Sequence, residues 1–207
     1  MTRIVLVRHG ETVWHAENRY AGRSDIALSE RGLQQAEMLG KWARNAGLSN
    51  IWASPLIRSR ATSQPASDST GIEMKIDDRL LELDFGQGEG LTASEMAAQF
   101  HSAYEAFLID PVKNYLPGGE DPVRAAARGR ACLQAIAEAG GDGSRILVVA
   151  HNTLFRLVLC DLLEVPLSKY RDLFPSLKNN ALTEIDLGPR QFSLLSLNVP
   201  IEENQFS

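Results

Sequence analysis

The chain is poor in cysteine: Cys132 and Cys160 are the only two. They lie far apart and form no Cys-x-x-Cys pair, so neither a zinc ribbon nor a dithiol redox motif is indicated, and both read as buried reduced thiols. No apolar run approaches the ~20 residues needed to cross a bilayer, which argues against a membrane protein. Basic residues are not in excess. The 21 Lys and Arg are outnumbered by 26 Asp and Glu, for a net charge of −5, and a nucleic-acid surface is therefore not expected. An acidic chain that binds an anion must do so with a few placed cations, which makes individual arginines informative. Internal repeats, low-complexity tracts and linkers are also lacking, so residues 1–207 are expected to form one domain with an ample core. The first strand starts by about residue 3, leaving no room for a leader, and a cytoplasmic protein is expected.

What is present begins with Ile4-Val5-Leu6-Val7. Four consecutive apolar residues, three of them β-branched, predict a strand buried on both faces. The run stops at Arg8-His9-Gly10. Ligands of open α/β sheets sit at the carboxyl ends of strands, and Gly10 has no Cβ to keep a ligand away. Arg8 offers a planar fork of donors suited to phosphate or carboxylate. His9 has the chemistry of a nucleophile, base or acid. Taken alone, the tripeptide fits a solvated turn equally well, and only partners elsewhere in the chain give it weight. A loop leaving such a strand is where substrate contacts are expected, so His15, Arg19 and Gly22 are candidates.

Ser29 predicts the N-cap of a helix running to about Ala46, with Leu33, Ala36, Leu39, Ala43 and Ala46 on one face and Gly47 beyond its end. A short strand, Ile51-Trp52-Ala53, follows. Ser54-Pro55 then opens a second helix that carries Arg58 one turn in, where it faces back over the strand end; Pro65 is expected to kink or interrupt this helix. Glu82 precedes the glycine-rich turn Phe85-Gly86-Gln87-Gly88-Glu89-Gly90. That turn is neither a dinucleotide fingerprint nor a P-loop, because Leu91 follows and no Gly-Lys-Ser/Thr does. Glu82 is a candidate proton donor there, or simply a turn acid. Thr92 to Glu95 form a capping box, and the helix after it carries Met96, Phe100, Tyr104, Phe107 and Leu108 as an apolar stripe. Residues 91–120 are expected to form a helical lid-like insertion. Asp121 and Pro122 open a helix that stops at Gly140-Gly141. Arg145 to Ala150 repeats the opening pattern: a buried strand ending at His151, with Asn152 next and Arg156 further along a helix, where it reads as structural. Two weaker strands follow, at about 182–187 and 192–197, and residues 198–207 are expected to fray.

Two strand-end histidines, two arginines and a turn glutamate thus fall in an order that converges on one sheet edge. The set resembles the histidine phosphatase superfamily, the phosphoglycerate-mutase-like proteins. Arg8-His9-Gly10-Glu11-Thr12 looks like its signature. Ser54-Pro55-Leu56 with Arg58 and Thr62, Glu82 before Phe85-Gly86 and Glu89-Gly90, Pro117-Gly118-Gly119-Glu120, and Val149-Ala150-His151 are similar to its later motifs. The resemblance covers nearly the whole chain. It implies a three-layer α/β/α sandwich with a mostly parallel central sheet, and a phosphatase acting on small phosphorylated metabolites without metal or cofactor. His9 would be the nucleophile that forms a phosphohistidine, Arg8, Arg58 and His151 the phosphate pocket, and Glu82 the proton donor. His15, Gly22 and Asn152 are carried along as substrate contacts. The family often has Asn at the position of His15 and glycines where Asn152-Thr153 stand, which bears on the substrate more than on the reaction.

Three other readings are open: a cofactor-dependent mutase of the same family, a catalytically inactive phospho-ligand binder, and a metal phosphoesterase using Asp77, Asp78 or Asp84. The intact five-residue set weighs against the binder. No metal-ligand spacing supports the last. Against the mutase, Leu83, Asp84 and Phe85 follow Glu82, and residues 91–116 contain no arginine and only Lys113 as a fixed cation. A substrate carboxylate therefore has no evident grip there. The expected assembly is a monomer or homodimer.

Overall fold

A computed structural model describes residues 1–189 and 191–201. One six-stranded sheet runs through it, built from β1 (Thr2–Arg8), β2 (Asn50–Ala53), β3 (Met74–Ile76), β4 (Arg145–Ala150), β5 (Leu182–Leu187) and β6 (Phe192–Val199), in the order β3-β2-β4-β1-β5-β6. The pairs β1/β4, β2/β4 and β2/β3 are parallel. Helices separate these strands in the sequence, as parallel crossovers require. The pairs β1/β5 and β5/β6 are antiparallel. The sheet is therefore mixed, with its parallel half carrying both strand-end histidines.

The expected layers form because the central strands alternate. Val5 and Val7 face α1 (Glu30–Asn45) and α2 (Ile57–Thr70), where Leu39, Ala43 and Ala66 complete one core. Ile4 and Leu6 face α4 (Pro122–Gly140) and α5 (Asn152–Leu162), together with Leu133, Ile136 and Phe155. The same core extends to Met96, Tyr104 and Phe107 of α3 (Ala93–Ile109) and to Tyr170 of the short α6 (Tyr170–Leu173). Cys132 and Cys160 are both buried and free.

Several expectations change. α2 passes through Pro65 without a break. Its missing N–H costs one helical bond, and Pro65 packs directly on Gly40 of α1. Leu33 is exposed, because the neighbouring Gly32 is the residue that turns inward, against the backbone of Glu11. In α3, Phe100 leaves helical geometry (φ −147°, ψ 55°), which resets the stripe so that Leu108 points to solvent. Residues 198–201 do not fray. Asn198 donates from its side chain to Ser176 and accepts from the Lys178 N–H, and Ile201 is buried. The rest of the predicted frayed tail, 202–207, lies outside the described residues.

The Gly40–Pro65 contact yields a test. A Cβ on Gly40 would sit 2.8 Å from Pro65 Cβ and 2.9 Å from the Pro65 carbonyl oxygen. Alanine in a helix interior normally gains about 1 kcal/mol over glycine, whereas overpacking costs about 1–3 kcal/mol. Gly40→Ala should therefore lower the urea midpoint at unchanged slope. A raised midpoint would show that the two helices have slack at this crossing.

Candidate active site

Parallel pairing sets Arg8 beside Ala150, so the residues that follow, His9 and His151, leave the sheet side by side. The His9 N–H donates to the Ala150 carbonyl (3.0 Å), and the two imidazole centroids lie 5.2 Å apart. The His9 Nδ1 lies 2.7 Å from the Gly10 carbonyl oxygen. A carbonyl only accepts, so Nδ1 carries the hydrogen and Nε2 keeps the lone pair. Burial, reinforced by the charges of Arg58 and Arg8, holds the His9 pKa well below its usual value. The ring is neutral, and its free nitrogen keeps a lone pair suited to nucleophilic attack. His151 is depressed for the same leading reason, with Arg58 and His9 next. Its Nε2 meets Ser54 Oγ at 2.7 Å, and its buried Nδ1 has no partner among the described residues.

Arg8 donates to the Leu177 carbonyl (2.7 Å) and to His15 Nε2 (2.8 Å). Burial lowers its pKa to about 10, which leaves it charged at neutral pH. His15 Nδ1 receives the Thr12 N–H at 3.0 Å and lies 2.9 Å from Thr12 Oγ1, so Arg8 and the Thr12 N–H both direct donors at a ring that, while neutral, accepts at only one nitrogen. Arg58 is fully buried and donates to the carbonyls of Ser24 (2.7 Å) and Gly22 (2.6 Å). Gly22 thus holds Arg58 with its carbonyl, while its N–H is taken by Glu89 (3.1 Å). The Nε atoms of both Arg8 and Arg58 are buried without an acceptor among the described residues.

Glu82 is buried beneath the start of α5. Its carboxylate accepts from the backbone N–H groups of Leu83 (2.8 Å), Thr153 (2.9 Å) and Leu154 (2.8 Å). The last two are free first-turn donors of α5, so Glu82 acts as the cap of that helix. Burial raises its pKa, and the three N–H groups and Arg58 oppose the rise. A carboxyl poised in this way can hold a proton closer to neutral pH than an exposed one.

These groups meet at a cavity of about 440 Å³. Arg8, His9, His15, Glu82 and Asn152 line it, as do Arg19 and Tyr20 from the loop after β1. Arg58, His151 and Gly22 are not on its wall: Arg58 and His151 are fully buried, and Gly22 is turned toward Arg58 and Glu89. Asn152 also accepts the Leu177 N–H through Oδ1 (3.1 Å). Asp84 takes no part. It accepts the Gly86 N–H at 2.8 Å and faces Arg23. Asp77 is held by Arg79 at 2.7 Å.

Five supporting residues were given no role at the site by the sequence. Glu89 accepts from Gly22, Arg23, Ser24 and Phe85, stitching the loop that holds Arg58 to the glycine-rich turn. Arg128 of α4 pairs in two-pronged fashion with Glu120 and donates to the carbonyls of Arg79, Leu81 and Glu82, fixing the approach to Glu82. Asn179 donates to the His9 carbonyl at 2.8 Å. Arg156, read above as structural, lines the cavity with Arg171. Only Glu89 carried a local signal, as an acid between two glycines; the others act across long sequence separations.

A family model described as the histidine phosphatase superfamily (branch 1) matches residues 4–200. The chain belongs to this family. It is 35% identical over 187 residues to a probable phosphoglycerate mutase GpmB of Erwinia tasmaniensis, covering 90% of this chain and 85% of that one. It is 29% identical over 206 residues to phosphoserine phosphatase 1 of Hydrogenobacter thermophilus, covering 100% and 96%. A mycobacterial glucosyl-3-phosphoglycerate phosphatase superposes with a TM-score of 0.84 at 27% identity, over 95% of this chain and 98% of that one. The architecture is thus a shared one, and no helix among the described residues is long and apolar enough to cross a membrane.

The buried imidazoles give a pH test. Histidines of the unfolded chain take up protons near pH 6.5, whereas His9 and His151 are held below that value. They therefore stabilise the fold above pH 6.5 and withdraw that contribution as pH falls toward their folded values. Glu82, raised from 4.5, works in the opposite sense: its contribution is present below pH 4.5 and fades as pH rises. Because the two oppose each other, the rings should be read individually by NMR. Both should remain neutral at pH 6 in anion-free protein and shift upward on adding sulfate. A ring already half-protonated at pH 6.5 would overturn this account.

Proposed function

We propose that this chain is a metal-independent phosphatase that hydrolyses small phosphomonoesters through a phosphohistidine at His9. The coarser part, a phosphatase hydrolase activity, is supported by the family and its phosphatase-named members. The observation that carries the mechanism is the fixed tautomer of His9. With its Nδ1 hydrogen bonded to Gly10 and its ring neutral, the Nε2 lone pair belongs to a cavity shared with Glu82. In the first step Nε2 attacks phosphorus in line, and the leaving alkoxide takes the Glu82 proton. In the second, Glu82 takes a proton from water, which attacks the phosphohistidine and releases phosphate with His9 neutral again. Arg8, Arg58 and His151 offset charge on the transferring group. Their unpartnered buried Nε and Nδ1 atoms suit a ligand rich in oxygen. His15 positions Arg8, Gly22 positions Arg58, and Asn152 borders the substrate. Residues 91–120 serve as a helical lid within a single domain. The two buried thiols suit the reducing cytoplasm.

One assay separates the two proposed chemical roles. His9→Ala should lower turnover at least ~10³-fold on alkyl and aryl phosphates alike, and should abolish an acid-labile, base-stable phosphoenzyme. Glu82→Gln should slow alkyl phosphates far more than phenyl phosphate, whose phenolate departs with less help. Equal loss on both substrates would leave Glu82 as a helix cap alone. Turnover by His9→Ala at the wild-type rate would remove the nucleophile assignment.

The mutase reading retains support from the GpmB-named relative. Arg156 and Arg171 also supply cavity cations that residues 91–116 lack, so a missing carboxylate grip no longer counts against it. In favour of the phosphatase stand the full-length similarity to a phosphoserine phosphatase and the fold match to the glucosyl-3-phosphoglycerate phosphatase. With 3-phosphoglycerate and a trace of 2,3-bisphosphoglycerate, phosphate release should exceed formation of 2-phosphoglycerate. Isomerisation that outpaces release would move the chain to the mutase branch and leave the His9 chemistry intact.

A further inference from the structure

Arg156 is an anomaly in the cavity wall. It is only 6% exposed, yet its side chain makes no hydrogen bond to any described residue, Nε included. The other substantially buried arginines are held: Arg8 and Arg58 by carbonyls, Arg128 by Glu120, Arg145 by Glu184. The guanidinium of Arg156 instead lies over the ring of Tyr170, 4.7 Å from its centroid. Arg171 stands beside it on the same cavity. It sits 4.4 Å from the Phe107 centroid and donates to Tyr170 Oη at 3.0 Å and to the Phe107 carbonyl at 3.4 Å. No carboxylate pairs with either arginine among the described residues; the ion pairs present involve other cations. A buried guanidinium that is not neutralised is unfavourable, and the cost is recovered when an anion binds.

These two cations come from α5 and α6, whereas Arg8 and Arg58 come from the end of β1 and the first turn of α2. Arg156 lies one helical turn beyond Asn152 and Thr153, which line the same cavity. A single ester phosphate seated at His9 already has Arg8, Arg58 and His151 assigned to it, and leaves Arg156 and Arg171 for another group of the same molecule. Planar guanidinium forks on aromatic faces are suited to oxyanions.

Resting on the phosphatase reading above, we propose that Arg156 and Arg171 form a second anion subsite, so that the preferred substrate carries a carboxylate or second phosphoryl group besides its ester phosphate. Both groups present the same oxyanion chemistry, and substrate pairs distinguish them. The carboxylate arm compares phosphoserine with phosphoethanolamine and 3-phosphoglycerate with glycerol 3-phosphate. The phosphoryl arm compares fructose 1,6-bisphosphate with fructose 6-phosphate. In the wild type, kcat/KM should favour the member with the extra anion by about tenfold or more in one of these arms, the factor expected of a charge-assisted hydrogen bond. Arg156→Met should bring that ratio toward one. Arg171→Gln should lower it in the same direction, and serves alone if Arg156→Met does not fold. Because the readout is a ratio on one protein sample, a general loss of folded enzyme does not imitate it. Ratios near one in both arms, or ratios unmoved in the folded variants, would reduce Arg156 to a packing partner of Tyr170 while the phosphatase reading stood. Failure to hydrolyse any of these esters, with phenyl phosphate also inert, would refute the phosphatase reading and the subsite with it.

Discussion

The register between β1 and β4 is the constraint on which the site depends. Both strands are buried on both faces, and a slip of one residue would reverse which side chains face each core. The packing of Val5 and Val7 on one side and Ile4 and Leu6 on the other therefore locks Arg8 opposite Ala150. His9 and His151 are brought side by side as a consequence of hydrophobic packing, before any interaction between them is considered. The His9 N–H bonded to the Ala150 carbonyl is the last rung of that ladder.

Around this edge, residues with chemical potential also hold the fold. Glu82 caps α5, the helix that starts at the end of β4, so the carboxyl is oriented by the same element that follows His151. Thr62 accepts the Gly10 N–H and donates to the Arg58 carbonyl, joining the turn after β1 to α2. Glu89 ties the loop carrying Gly22 and Ser24 to the glycine-rich turn, and these two residues in turn hold Arg58. A change at such a position alters placement and stability together, and a lost rate there is not by itself a measure of chemistry.

Much of the layout was legible in one dimension because its causes are local. Apolar runs ending abruptly at Arg8-His9 and at His151, the Ser29 and Thr92 caps, and the Asp121-Pro122 start are patterns of neighbouring residues. Where a distant contact outweighed local preference, the local reading went astray. Pro65 should break a helix but rests on Gly40. Leu33 should face inward, but Gly32 lets the Glu11 backbone approach instead. Gly22 sits in the right loop, yet its polar groups serve Arg58 and Glu89, and it is not on the cavity wall.

The strands, their buried character and the ordered motifs of the family are written in contiguous residues whose periodicity or chemistry needs no partner. The states of the groups those motifs contain follow from the folded arrangement. The hydrogen on His9 Nδ1 follows from where the Gly10 carbonyl points, and the depressed His9 pKa from burial beside Arg58 and Arg8. The same holds for Arg156, which on a helical pattern is one more arginine. Its significance lies in having Tyr170 and Arg171 for neighbours and no carboxylate, and these arrive from a different helix. Desolvation and Coulomb interaction depend on distances through space, and a list of residues in order does not contain those distances.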